Sequence, residues 1–367
     1  MPKIENAGKI HYSKMTTAFE VYKKQRFRKR VFLISGLLML VVFMLTGLWR
    51  GTADLSSSNI LAVFYGESNE MTHQIIWNIR LPRVLSAVLA GMALAVAGAA
   101  MQSILRNPLG SPFTLGISNA AAFGAAVSVI FFGAGSANSS PADAVLIDKP
   151  YLIALFAFAA SLVATFIILL MMRMRDASPE TIILTGIMVG SLFTAGTTAL
   201  QFFADDVEIS AIVFWTFGDL GRGGWPEFRM MGLVVIPALL FFIYHRWNYN
   251  ALDAGDETAK SLGVNVQKVR VWGMLVASLS TAIAVSFFGI IAFVGLVVPH
   301  IVRSVIGSDE RYLIPASAIF GAVFLLVSDT IARTIIAPIV LPVGILTSFI
   351  GAPLFLFLLI QKRRNHW

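Results

Sequence analysis

The chain has 367 residues, of which 57% are hydrophobic and 13% charged, against about 25% charged in a soluble globular protein; with a mean hydropathy of +0.78, a soluble domain is excluded and a polytopic membrane protein is indicated. The net charge of +8 does not point to nucleic acid, because the basic residues gather at the ends of apolar segments and lack the interleaved aromatics of a strand-binding face. The absence of cysteine removes disulfides, thiolate nucleophiles and Cys-ligated metals.

Residues 1–30 read as a basic tail ending in K-K-Q-R-F-R-K-R, ahead of an apolar run over 31–49. That run exceeds the about 7–15 residues of a signal-peptide core and has no A-x-A-like site after it, so it predicts a retained first span. At about 20 apolar residues per span, further helices are predicted over 84–105, 114–133, 151–172, 181–203 and 230–245. Residues 271–302 contain no Asp, Glu, Lys or Arg, too long a stretch for one span and too short for two full ones with a polar loop. Gly289 in F-F-G-I-I marks the expected break, giving a helix over 269–288 and a shorter one over 290–302. Such interrupted helices are tolerated where protein or a cavity surrounds the exposed backbone. Spans over 312–331 and 340–361 bring the total to ten, in a permease domain over 31–361, and a basic C-terminus follows at 362–367. In the second span the run Gly91, Ala93, Ala95, Ala97, Gly98, Ala99 and Ala100 predicts close helix–helix approach, since lipid removes the hydrophobic drive and small residues let backbones meet.

Ten spans put both termini on one side, and the positive-inside rule assigns that side to the cytoplasm. Only Arg50, Arg80, Arg83, Lys149, Arg222, Arg229 and Arg333, of 28 basic residues, then fall outside; the inner set includes Arg106, Arg173, Arg175, Arg303 and Arg311. R-V-L-S-A-V-L-A-G-M-A-L-A-V-A at 83–97 aligns with R-V-W-G-M-L-V-A-S-L-S-T-A-I-A at 270–284. Ala-rich helices also match by chance, but the opposed directions of these two would make an inverted-topology repeat, an architecture of transporters.

The acidic residues fall in loops or at helix ends, with Asp329 alone expected within the membrane zone. Ion-coupled carriers commonly place carboxylates or His relays at depth, so coupling to an ion gradient is disfavoured. No G-x-x-x-x-G-K-[ST] phosphate loop, H-E-x-x-H motif or nucleophile elbow is present. An intramembrane enzyme is therefore not expected, and the energy for transport must come from another polypeptide.

The largest internal polar segment, residues 246–270, is expected in the cytoplasm. Asp256 and Glu257 begin a short helical pattern with Ala259, Leu262 and Val264 as its apolar positions, and Gly255 and Gly263 placed to turn or cap it. From residues alone it is either an amphipathic connector or a docking knob. R-N-P-L at 106–109 ends the second span, as Pro108 would dictate in any case.

These segments together resemble the FecCD family, the transmembrane permeases of ABC importers for iron-siderophores, haem and cobalamin. The likeness covers about residues 31–361 through R-L-P-R at 80–83, G-M-A-L-A-V-A-G-A-A-M-Q at 91–102, R-N-P-L-G-S-P at 106–112, G-D-E-T-A-K-S-L-G at 255–263, G-I-I-A-F-V-G-L-V-V-P-H-I-V-R at 289–303 and L-P-V-G-I-L-T-S-F-I-G-A-P-L-F at 341–355. It implies the all-α, ten-span type II importer permease fold. It also implies a second permease subunit, two ATPases that carry the ATP and Mg, and an extracytoplasmic binding protein, with no cofactor on this chain. The cell would be prokaryotic and the membrane its cytoplasmic one. By the same resemblance, Gly255, Asp256, Glu257, Ala259, Ser261, Leu262 and Gly263 form the ATPase-coupling helix, with Asp256 and Glu257 the leading contacts. Asn107 and Leu109 match the turn of a cytoplasmic gate, and Arg80, Arg83 and Arg333 match positions that face an acidic binding protein. Helix-end arginines also snorkel to headgroups. Gly110, commonly Ala in the family, and the length of the N-terminal tail are the departures. An ion-coupled secondary transporter is the main alternative and a passive channel a third; neither accounts for the G-D-E-x-A-x-S-L-G segment.

Overall fold

The computed structural model describes residues 2–51, 62–63, 65, 69–137, 145–147, 149–174 and 178–364; Arg175 and the last three residues of the basic C-terminus lie outside them. Twelve helices are described. α1 is Pro2–Trp49, and α2 runs Glu70–Leu105 with a π-helical section at Gln74–Arg80. α3 is Ile117–Phe132, α4 Pro150–Arg173, α5 Pro179–Phe203, α6 Asp206–Thr216 and α7 Trp225–Asp253. α8 is Asp256–Ser261, α9 Val266–Phe288, α10 Val294–Ile306, α11 Glu310–Thr334 and α12 Val343–Arg364.

Each of the ten predicted spans is a helix. Seven are long and apolar enough to cross a membrane, and Ile117–Phe132, Val294–Ile306 and Val343–Leu358 are shorter apolar helices. The predicted break is present: α9 ends on Gly289 at φ +75°, and α10 is entered through Phe293 at φ +66°. Two boundaries differ from expectation. The basic tail and first span form one helix, and the second span starts at Glu70 instead of residue 84, because Asn69 caps it by accepting from Thr72 N (2.8 Å). A two-stranded antiparallel hairpin, Gly135–Ala137 with Val145–Ile147, adds a small β element to the helical fold.

Small residues, more than apolarity, set the centre of the bundle. The apolar window of α2 is 83% buried, whereas that of the more hydropathic α1 is 17% buried. A Cβ on Gly98 would collide with the Gly295 carbonyl of α10, and one on Gly91 with the Gly321 carbonyl of α11. Backbone thus meets backbone on two sides of α2, the close approach that its small-residue run predicts. The segments 83–97 and 270–284 lie on α2 and α9, which pack side by side.

The α10–α11 corner is fixed by Asp309, which caps α11 by accepting from Arg311 N, pairs with Arg311 (2.7 Å) and with Lys29 of α1 (3.2 Å), and accepts from Asn250 of α7 (3.2 Å). Partial burial opposes its charge, but these hydrogen bonds outweigh burial and hold its carboxyl well below the usual carboxylate range. A carboxylate depressed on folding stabilises the folded chain above its unfolded pKa of about 3.9, and that contribution fades as pH falls through the folded value. The melting temperature of the wild type should therefore fall more steeply than that of Asp309→Asn between pH 5 and pH 3; parallel profiles would deny the corner this role.

Candidate functional site

The polar segment between α7 and α9 holds α8, bounded by Gly255 (φ +108°) and Gly263 (φ +79°) and followed by Asn265, whose side chain caps α9. Ala259 is fully buried where α8 packs on α7 and α9, in the large apolar cluster that also contains Ile104 and Leu105 of α2. Asp256 points inward, pairing with Arg270 (2.9 Å) and lying 3.8 Å from Arg106. It therefore tethers α8 to the body of the protein while its side chain stays partly exposed. The outward face consists of Glu257, 91% exposed and bridged to Lys260 (3.1 Å), with Ser261 exposed and Leu262 67% exposed.

Arg106 closes α2 in the left-handed conformation, at φ +44°, so the tether on Asp256 reaches the residue that opens the R-N-P-L turn. Within the turn, Asn107 Oδ1 accepts from Leu109 N (2.8 Å), and the Leu109 carbonyl accepts from Thr114 Oγ1 (3.0 Å). Leu109 is left exposed at the edge of a cavity of about 770 Å³ between this turn, α3 and α5. Asn119, Ser191, Thr194 and Thr198 give the cavity an uncharged polar stripe. Asn119 Nδ2 donates to Thr194 Oγ1 (2.8 Å). Gly116 (φ +74°) lets the turn lie against α5, because a Cβ there would meet the backbone of Gly190 at 2.6 Å.

At the opposite end the three arginines are buried, not presented outward as expected of docking residues. Arg80 donates to the carbonyls of Leu48 (2.8 Å) and Trp49 (2.9 Å). Arg333 donates to Gly47 (3.1 Å) and Arg50 (3.2 Å). The last carbonyls of a helix have no partner within it and carry partial negative charge, so the end of α1 draws both cations in. Asp329, fully buried, holds Arg83 (2.8 Å) and Arg333 (3.0 Å) on its two oxygens, and Arg83 also reaches Asp219 (3.3 Å).

A second carboxylate, overlooked in the sequence, is fully buried at the start of α11. Glu310 accepts from Ser103 Oγ (2.8 Å) and pairs with Arg303 (3.4 Å), which also donates to Gln102 Oε1 (2.8 Å). Its position at a helix end suggests exposure; in the fold its backbone N–H donates to Asn250 Oδ1 of α7 (2.7 Å), and Ser103 of α2 and Arg303 of α10 hold its carboxylate. Among the described residues, both fully buried carboxylates, Asp329 and Glu310, thus carry arginine partners.

The FecCD transport family profile matches residues 38–361. The chain belongs to the FecCD transport family. A Methanocaldococcus jannaschii protein named as an ABC transporter permease is 52% identical over 95% of this chain and 98% of its own length. The hemin transport system permease protein of Yersinia pestis is 35% identical over 93% of this chain and 98% of its own. The iron(3+)-hydroxamate import system permease protein of Bacillus subtilis is 35% identical over 91% of this chain and 84% of its own. Among solved structures, a chain described as an inward-facing metal-chelate type ABC transporter superposes with a TM-score of 0.78 and 28% identity, covering 90% of this chain and 98% of that one. This FecCD chain is accordingly a multi-pass transport permease, and ATP hydrolysis belongs to a partner ATPase. In it α8, the R-N-P-L turn and the cavity are linked in series through Asp256, Arg106 and Leu109.

Proposed function

We propose that the chain is the membrane-spanning subunit of an ATP-driven importer that moves a metal chelate inward. A ferric siderophore is the favoured cargo, with haem or cobalamin in the same class. The relatives named for hemin and iron(3+)-hydroxamate transport support that class, as does a polar stripe without charge, which offers hydrogen bonds to a bulky chelate without trapping it. The partners are a second permease subunit, two ATPases holding ATP and Mg, and an extracytoplasmic binding protein, with lipid around the assembly. No cofactor resides on this chain, and both termini face the cytoplasm of a prokaryotic inner membrane.

The observation that carries the proposal is the division of labour in α8. Its outer face is exposed, while Ala259 is buried on its inner face and Asp256 ties it to Arg270 of α9 and approaches Arg106 at the end of α2, so a push on the helix by an ATPase has a route through Arg106 to the R-N-P-L turn. Two substitutions separate these parts. Glu257→Lys with Leu262→Asp should weaken copurification with the ATPase at least about tenfold, as reversed charge and lost apolar contact do at a desolvated interface. Asp256→Asn should leave assembly intact but lower transport per ATP hydrolysed, because the tether to Arg106 and Arg270 is loosened. Unchanged assembly in the first variant and unchanged coupling in the second would make α8 a simple connector.

A further inference from the structure

The cytoplasmic end of α1 carries a feature that transport leaves unused. Where α1 passes the end of α10, a groove of about 630 Å³ opens, with Gln25, Arg28 and Lys29 at its rim and Val31, Phe32 and Ile306 among its apolar walls. Arg28 is exposed and has no ion pair among the described residues. Lys29 is drawn to Asp309. Residues 21–47 contain no Asp or Glu, while 23–30 contain six Lys and Arg, so this length of α1 is strongly and one-sidedly positive.

The apolar part of the groove does not end at its rim. Val31, Leu38, Val42 and Leu45 recur at helical spacing within a broad exposed apolar face of α1 that also includes Ile34, Leu37 and Val41, so uncovered apolar surface leads from the groove along α1 into the hydrocarbon zone. Cations at a membrane boundary above an apolar stripe match one chemistry, a phosphate headgroup with an acyl chain below it. The geometry points to a binding site for an anionic phospholipid at the α1–α10 groove. Its phosphate is held by Arg28 with Gln25, and its chain lies along Val31, Leu38 and Val42. The site rests on the multi-pass reading with the tail at the membrane surface, and it ties the tail to the α10–α11 corner through Lys29 and Asp309.

Delipidated full-length protein, titrated with phosphatidylglycerol or phosphatidylcholine in detergent and read by native mass spectrometry, tests the site without cargo or ATP, so its failure leaves the transport proposal standing. Phosphatidylglycerol should be retained preferentially. Arg28→Gln should weaken its retention about fivefold, the contribution of one cation near an anionic surface. Val305→Trp, which fills the groove without changing charge, should weaken it as well. Arg26→Gln makes the same charge change outside the groove and should alter retention less than about twofold; a melting temperature for each variant shows that the fold is kept. Equal retention of the two lipids, or equal loss in Arg26→Gln and Arg28→Gln, would overturn the site in favour of diffuse attraction. Unchanged lipid retention in Arg28→Gln together with weaker ATPase assembly would assign the groove to a protein and overturn it equally.

Discussion

Asp329→Ala should cost about 3–5 kcal/mol of stability, the range for removing one partner of a buried ion pair. The loss is large because two cations depend on one carboxylate: Arg83 and Arg333 both bind Asp329, and all three side chains are buried. Without it they would face one another across an apolar interior. Arg333 would keep its carbonyl partners at the end of α1, whereas Arg83 would keep only Asp219. Arg83→Met in the Asp329→Leu background should therefore recover part of the loss, because replacing charges together removes the desolvation penalty with the attraction. Thermal unfolding of the detergent-solubilised variants measures this; an Asp329→Ala protein as stable as wild type would mean that the triad contributes nothing to the fold.

Gly98→Leu should be as damaging for a different reason. A Cβ at Gly98 would collide with the Gly295 carbonyl, and backbone of a neighbouring helix cannot turn aside as a side chain can. Overpacking ordinarily costs about 1–3 kcal/mol, and separating α2 from α10 should reach or exceed the upper figure. Gly232 is the control, since a Cβ there meets nothing nearer than 3.7 Å. Gly232→Ala should hold or raise the melting temperature, in keeping with the better helix propensity of Ala. If both substitutions lower it equally, the close approach of α2 and α10 is not what makes Gly98 necessary.

What could be read from the sequence and what could not follow from the same physics. Ten spans were legible because a helix crossing lipid must be apolar for its whole length, and the Gly289 break because a charge-free run over 271–302 exceeds one span. The polar segment around α8 and the R-N-P-L turn were legible as segments, since polarity and Pro108 mark them. The direction in which a side chain points was not. Asp256 and Glu257 are neighbours of like charge, yet one turns to Arg270 and the other to solvent, and that depends on α9 and α2 lying beside α8. For the same reason Arg80, Arg83 and Arg333 read as outward cations when the end of α1, far away in sequence, had already claimed two of them. Glu310 was hidden by its place at a helix end, where its partners come from α2, α7 and α10. The spacing of Ser191, Thr194 and Thr198 on one face of α5 was a visible signal for the cavity, but Asn119 and Leu109, which complete it, come from other elements.

This permease depends for its energy on ATP hydrolysis by a partner. The most direct test of that dependence is uptake of a ferric chelate into proteoliposomes that contain the permease, its ATPase and its binding protein, with and without ATP and with and without a protonophore. Uptake should require ATP and the ATPase and should be indifferent to the protonophore; accumulation by the permease alone, sustained by a proton gradient and abolished when that gradient is collapsed, would contradict it.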